Sequence, residues 1–224
     1  MSKTFKLQKK DDFIEYLKEL IILVHKFILK QKKYLDDLKN KIESYESINS
    51  IKISTLEYDE ISDKMMHIQG YLLNLIGDQS KDAMSYKKFR QKISGNKHIF
   101  GLKTLNNNIS SILNQFNTSR NWSMHVPESL LNSRIKINKD LNIKPLLNPI
   151  NIAEYEYYQG RWLVSLYNEC KNFCNGFEIV FKQMLEDYSI LINDKVEIEL
   201  IKYPLRELED AIISINSSKI QKGT

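Results

Sequence analysis

Glycine and proline are scarce, with seven and four in 224 residues. A sheet built on frequent tight turns draws on both, so their scarcity argues against a mainly β chain and for long helices. Only two cysteines are present. Cys170 and Cys174 lie four apart in an apolar-periodic stretch, sharing one helix face as small core residues. No second pair completes a zinc site, and this usage fits a reducing compartment. No apolar run is long enough for a bilayer: residues 20–29 are the most apolar, and His25 and Lys26 interrupt them. The first ten residues are polar and basic, with no secretory signal after them, so a soluble, cytoplasmic protein is expected. Gly-rich phosphate loops, zinc-ligand helix motifs, nucleophile elbows and internal repeats are also missing, and no metal or cofactor is expected.

Helical periodicity fills most of the chain. A capping box at Asp12 to Glu15 opens a first long helix, with Phe13, Leu17, Leu20, Val24, Ile28, Leu35, Leu38 and Tyr45 on its apolar side. Ser54 and Glu57 form a second box, and the helix behind it runs to Gly77. Leu102, Leu105, Ile109, Ile112, Leu113 and Phe116 predict a third, unusually rich in asparagine and serine. Pro127 ends or kinks it near His125, and Pro127-Glu128 can open a short helix through Leu131. Residues 138–149 look like a long loop. Asn151 with Glu154 starts a last long helix, whose stripe includes Tyr158, Trp162, Cys170, Phe177, Met184 and Leu191. Residues 196–201 suit a short strand or a helix start, 205–215 a helix, and 217–224 a loose tail. The fold class is therefore all-α: a helical bundle with long N-terminal and C-terminal helices. It divides into a long N-terminal helix (1–50), a helical core (51–193) and a C-terminal segment with tail (194–224).

The formal net charge of +5 permits a polyanionic partner without demanding one. Positive charge is densest at Lys87, Lys88, Arg90 and Lys92, followed by Lys97. These five can follow a phosphate backbone as RNA-binding residues, with Tyr86 and Phe89 available for stacking; the alternative is a solvated helix face. His67, on or beside the second helix's apolar face, fits a hydrogen-bonded core histidine better than a ligand.

The stretch that suggests chemistry is Thr118-Ser119-Arg120-Asn121-Trp122-Ser123-Met124-His125-Val126-Pro127. Arginine presents a permanent charge and a planar donor fork that matches phosphate. Histidine moves a proton near neutrality. RNA cleavage by the neighbouring 2′-hydroxyl needs both: proton transfer at the attacking or leaving oxygen, and stabilisation of the crowded anionic phosphorus. Positions five apart on a regular helix differ by about 140°, so Arg120 and His125 converge only if Pro127 distorts the helix. Asn121, four before His125, stands where it can orient the imidazole.

At these residues the chain resembles the HEPN superfamily, all-α domains found in prokaryotic toxins, abortive-infection proteins and CRISPR-associated ribonucleases. The signature is an arginine, usually followed by Asn, Asp or His, with a histidine after four to six intervening residues. Arg120, Asn121 and His125 fit it at the shortest spacing. The resemblance implies a metal-independent endoribonuclease of phage-defence or toxin type, working without a cofactor on an RNA substrate. It also implies a homodimer whose two motifs face each other, products ending in a 2′,3′-cyclic phosphate, and an antitoxin or other defence-system partner. Arg120 would stabilise the phosphate, His125 transfer protons and Asn121 position them. The long first helix and the final segment exceed a minimal HEPN domain. The alternative function is a non-catalytic all-α protein-interaction module, in which Arg120 and His125 are ordinary polar residues near a helix end.

Overall fold

The computed structural model describes residues 7–80, 83–94, 100–124, 128–142, 144 and 155–201, with 122–124 and 128–130 described through their backbone alone. Six α-helices are present among them: α1 (Lys10–Glu43), α2 (Thr55–Gly77), α3 (Tyr86–Ser94), α4 (Asn107–Met124), α5 (Glu128–Asp140) and α6 (Arg161–Ile192). A 3-10 turn (Ile48–Ser50) and two three-residue strands, β1 (Lys52–Ser54) and β2 (Tyr157–Gln159), are the other regular elements among the described residues. The all-α expectation holds. The chain divides into Met1–Asp194, which holds every helix named here, and Lys195–Thr224.

The two longest helices, α1 and α6, form the spine. Phe13, Leu17, Leu20, Val24 and Ile28 of α1 share one core with Phe177, Val180, Met184 and Leu191 of α6. Leu35 and Leu38 share a second with Leu163, Leu166, Cys170 and Cys174. The early part of α1 thus meets the late part of α6, and the pair runs antiparallel. Each fully buried Leu or Phe contributes about 1.5–3 kcal/mol relative to exposure. α2 packs on the spine with Met65, Ile68, Leu72, Leu73 and Ile76, and closes against α4. Lys32–Glu178 and Lys41–Glu57 ion pairs lace α1 to α6 and α2.

Local chemistry accounts for the ends. Asp12 is the third residue of α1 rather than its cap: its carboxylate accepts from the backbone N–H of Gln8 at 2.9 Å and Lys9 at 2.8 Å, which lowers its pKa. Ser54 caps α2 as its sequence suggests, accepting from the Glu57 N–H at 3.3 Å. α6 stops at Asn193, whose φ of 57° is the left-handed conformation that asparagine tolerates.

Three expectations need correction. The last long helix begins at Arg161, because Tyr157–Gln159 is held as a strand: Lys52, Ile53 and Ser54 face Gln159, Tyr158 and Tyr157 in antiparallel register. Gly160 makes that junction possible, since a Cβ there would collide with the Ile48 carbonyl oxygen while its N–H donates to the Ile51 carbonyl at 2.9 Å. The short helix after Pro127 continues to Asp140, into the stretch expected to be loop. Residues 195–201, described by themselves, are neither strand nor helix. The proposed helix start at Asn151 and Glu154, the helix at 205–215 and the tail at 217–224 lie outside the described residues, as does Pro127.

Candidate functional site

Gly77, the last residue of α2, sets the site. A Cβ there would stand 3.0 Å from the backbone of Phe116 and Asn117, so the end of α2 abuts the middle of α4 directly. That approach brings Asn74 and Asp78 beside the last turns of α4, where Arg120 is placed. Arg120 donates from Nε to Asn74 Oδ1 at 3.0 Å, from Nη2 to Asp78 Oδ2 at 2.9 Å, and from Nη1 to Asn121 Oδ1 at 3.2 Å. Its side chain is 20% exposed and that of Asp78 9%. The guanidinium is thus held in a fixed plane by three side chains, within reach of solvent and with its charge offset by a carboxylate.

Asp78 is itself anchored. Its other oxygen, Oδ1, accepts from the Ser80 N–H at 2.8 Å, and its carbonyl accepts from the Ser85 hydroxyl. Ser85 caps α3 in turn, taking the Lys88 N–H at 3.2 Å, while its own N–H donates to the Tyr16 hydroxyl at 2.9 Å. One polar chain therefore runs from Arg120 through Asp78 and Ser85 to α1.

The basic helix α3 resolves into residues with different tasks. Arg90, with a 10% exposed side chain, meets the nearly sealed Asp187 of α6: Nε lies 2.7 Å from Oδ2 and Nη2 donates to Oδ1 at 2.8 Å. Nη1 donates to the Lys103 carbonyl at 2.9 Å, and Tyr86 donates its hydroxyl proton to Asp187 Oδ2 at 2.7 Å. Burial raises the Asp187 pKa against the lowering effect of Arg90, and burial likewise pushes the Tyr86 hydroxyl well up. Tyr86 and Phe89 are fully buried, which corrects the expectation that they offer stacking surfaces. Lys87 donates to Asn114 Oδ1 at 2.8 Å, and partial burial lowers its pKa. Lys88 donates to the Ser80 carbonyl at 3.3 Å, and Lys92 is exposed.

Among the sequence candidates, then, Arg120 and Asn121 are adjacent and touching, Lys87 lies against α4, and Arg90 faces inward. His125 and Lys97 lie outside the described residues. Sequence reasoning missed Asn74, Asp78 and Asp187. Asp187 carried a legible signal: it falls on the buried stripe of α6 with Val180, Met184 and Leu191, where a carboxylate requires a partner. Asp78 carried a weaker one, its place immediately after the helix-ending Gly77.

Among the described residues no cluster of three or more His, Cys, Asp or Glu side chains could hold a metal ion. No described helix is long and apolar enough to cross a membrane. Compared with protein-family models, curated proteins and solved structures, the chain matches none.

Proposed function

We propose that the chain is a HEPN-like, metal-independent endoribonuclease of phage-defence or toxin type. The supporting observation is the setting of Arg120: a fork fixed in orientation by Asn74, Asp78 and Asn121 on the last turns of α4, in the chain segment that leads to His125. A preorganised guanidinium stabilises developing phosphate charge without reorganising at the moment of reaction. In this reading Arg120 binds the scissile phosphate, and His125 moves the proton of the attacking 2′-hydroxyl or of the leaving oxygen. Asn121, bonded to Arg120, holds that guanidinium in plane, and it precedes His125 by four positions in the sequence. Phosphate must compete with Asp78 for the fork. Lys87, Lys88 and Lys97 contribute phosphate contacts, and Arg90 braces α3 from within. The active form is a homodimer in the cytoplasm, with an antitoxin or defence-system protein as its regulator.

A second reading, the non-catalytic interaction module, is favoured by α5, where Leu131 is 60%, Ile135 43% and Ile137 53% exposed. Apolar side chains at this density suit a covered surface.

Incubation of a mixed RNA pool with purified protein in EDTA, beside Arg120→Ala and His125→Ala, separates the two. Cleavage lost in both variants supports the ribonuclease; no cleavage, or equal cleavage in all three, supports the interaction module.

A further inference from the structure

Lys87 differs from the two arginines near it. Arg90 faces Asp187 and Arg120 faces Asp78, whereas Lys87, half-buried on the first turn of α3, is held by the neutral amide of Asn114 and has no carboxylate at ion-pair distance among the described residues. Its charge is therefore not offset locally, and burial alone accounts for the lowered pKa. It lines a groove of about 270 Å³ between α3 and α4, with Gln91, Ser94, Ser110, Leu113 and Asn114 on the walls.

The groove continues as a pattern along α4. At 100° per residue, Ser110, Asn114, Asn117 and Asn121 fall within about 60° of one another, on a stripe about 16 Å long. Asn114 and Asn121 are exposed, Ser110 and Asn117 half-buried. The stripe starts beside Lys87 and ends at Asn121, which bonds Arg120. An asparagine side chain offers both donor and acceptor, which is what the edge of an unstacked base requires. A duplex has its Watson–Crick edges paired and is too wide for such a groove.

We infer that the α3–α4 groove and the asparagine stripe of α4 form a track for single-stranded RNA, with Lys87 on a phosphate and the stripe's amides on base edges, leading to Arg120. This rests on the ribonuclease reading and supplies its substrate class. Lys92, on the same helix but outside the groove lining, takes no part in the track.

The test is binding of a fluorescent 2′-O-methyl oligoribonucleotide to the full chain; lacking the 2′-hydroxyl, it cannot be cleaved by the proposed chemistry. The single strand is expected to bind at least tenfold more tightly than the matching duplex. Lys87→Gln, which removes the charge and keeps a neutral donor, is expected to weaken binding about tenfold and reduce the salt slope by about 0.7. Asn114→Asp, which places a carboxylate beside Lys87 from the opposite wall, is expected to weaken it at least as much, while Lys92→Gln changes it less than twofold. Equal affinity for the duplex, no binding, or equal losses in Lys87→Gln and Lys92→Gln would overturn the track. Track-dependent binding without cleavage of natural RNA would keep the track and remove the ribonuclease; cleavage with binding indifferent to Lys87 and Asn114 would do the reverse.

Discussion

Replacing Arg90 with methionine keeps most of its apolar stem and removes its charge from beside Asp187. The carboxylate, 1% exposed, would retain bonds from Tyr86 at 2.7 Å and Gln183 at 3.1 Å, both neutral donors. Left charged and unpaired, it costs about 3–5 kcal/mol. Protonation is the escape, and at pH 7 it costs a carboxyl of ordinary pKa roughly 4 kcal/mol, so the two routes bracket the same loss. For a unit of this size the melting temperature should fall by roughly 6–20 °C. The pH dependence identifies the cause. Asp187 already has a raised pKa through burial, and losing Arg90 raises it further. A carboxyl with a raised folded pKa favours the folded state most below its unfolded pKa, and that contribution is lost as pH rises through the folded value. The gap between variant and wild type should therefore be wide at pH 7.5 and narrower at pH 5. Urea denaturation at both values measures it. A deficit under about 1 kcal/mol, or the same deficit at both pH values, would refute the reasoning.

Glycine substitutions should separate close approach from free space. Gly160→Ala drives a Cβ into the Ile48 carbonyl and is expected to cost about 1–3 kcal/mol or more, whereas Gly70→Ala, with nothing within 4 Å, should stabilise α2 by about 0.5–1 kcal/mol; thermal melts compare them. Burial pushes the Cys170 thiol up to about 12 and the Cys174 thiol to about 11, so neither should react with a thiol reagent at pH 8 until the protein is unfolded. Because these folded pKa values are raised, stability should fall as pH rises from about 9 towards 11, by up to about 1.4 kcal/mol per pH unit per thiol, less so in a Cys170→Ala/Cys174→Ala variant. Asp78→Asn removes the charge facing Arg120 and should cost about 1.5–3 kcal/mol while tightening RNA binding; unchanged binding would show that Asp78 does not compete with phosphate.

Periodicity alone located the spine, because α1 and α6 each bury a continuous stripe over many turns. Ser54 announced the start of α2 by its own side chain. What stayed hidden depended on partners remote in sequence. Tyr157–Gln159 reads as part of an aromatic helical stripe, and only its register with Lys52–Ser54 makes it a strand. Arg90 and Lys87 look alike in a run of basic residues, yet one is matched by a carboxylate 97 positions away and the other by an amide 27 positions away. Arg120 and Asn121 were legible as a motif, but Asp78 is 42 positions before Arg120 and lies outside any local pattern.

One substrate tests whether a 2′-hydroxyl of the RNA is the nucleophile. An oligoribonucleotide containing a mapped cleavage site is compared with the same strand carrying a single 2′-deoxynucleotide on the 5′ side of that site, both in EDTA. The all-ribose strand is expected to yield a 2′,3′-cyclic phosphate and a 5′-hydroxyl, and the deoxy-substituted strand to stay uncut there. Cleavage at the deoxy position, or products ending in a 3′-hydroxyl and a 5′-phosphate, would contradict that chemistry.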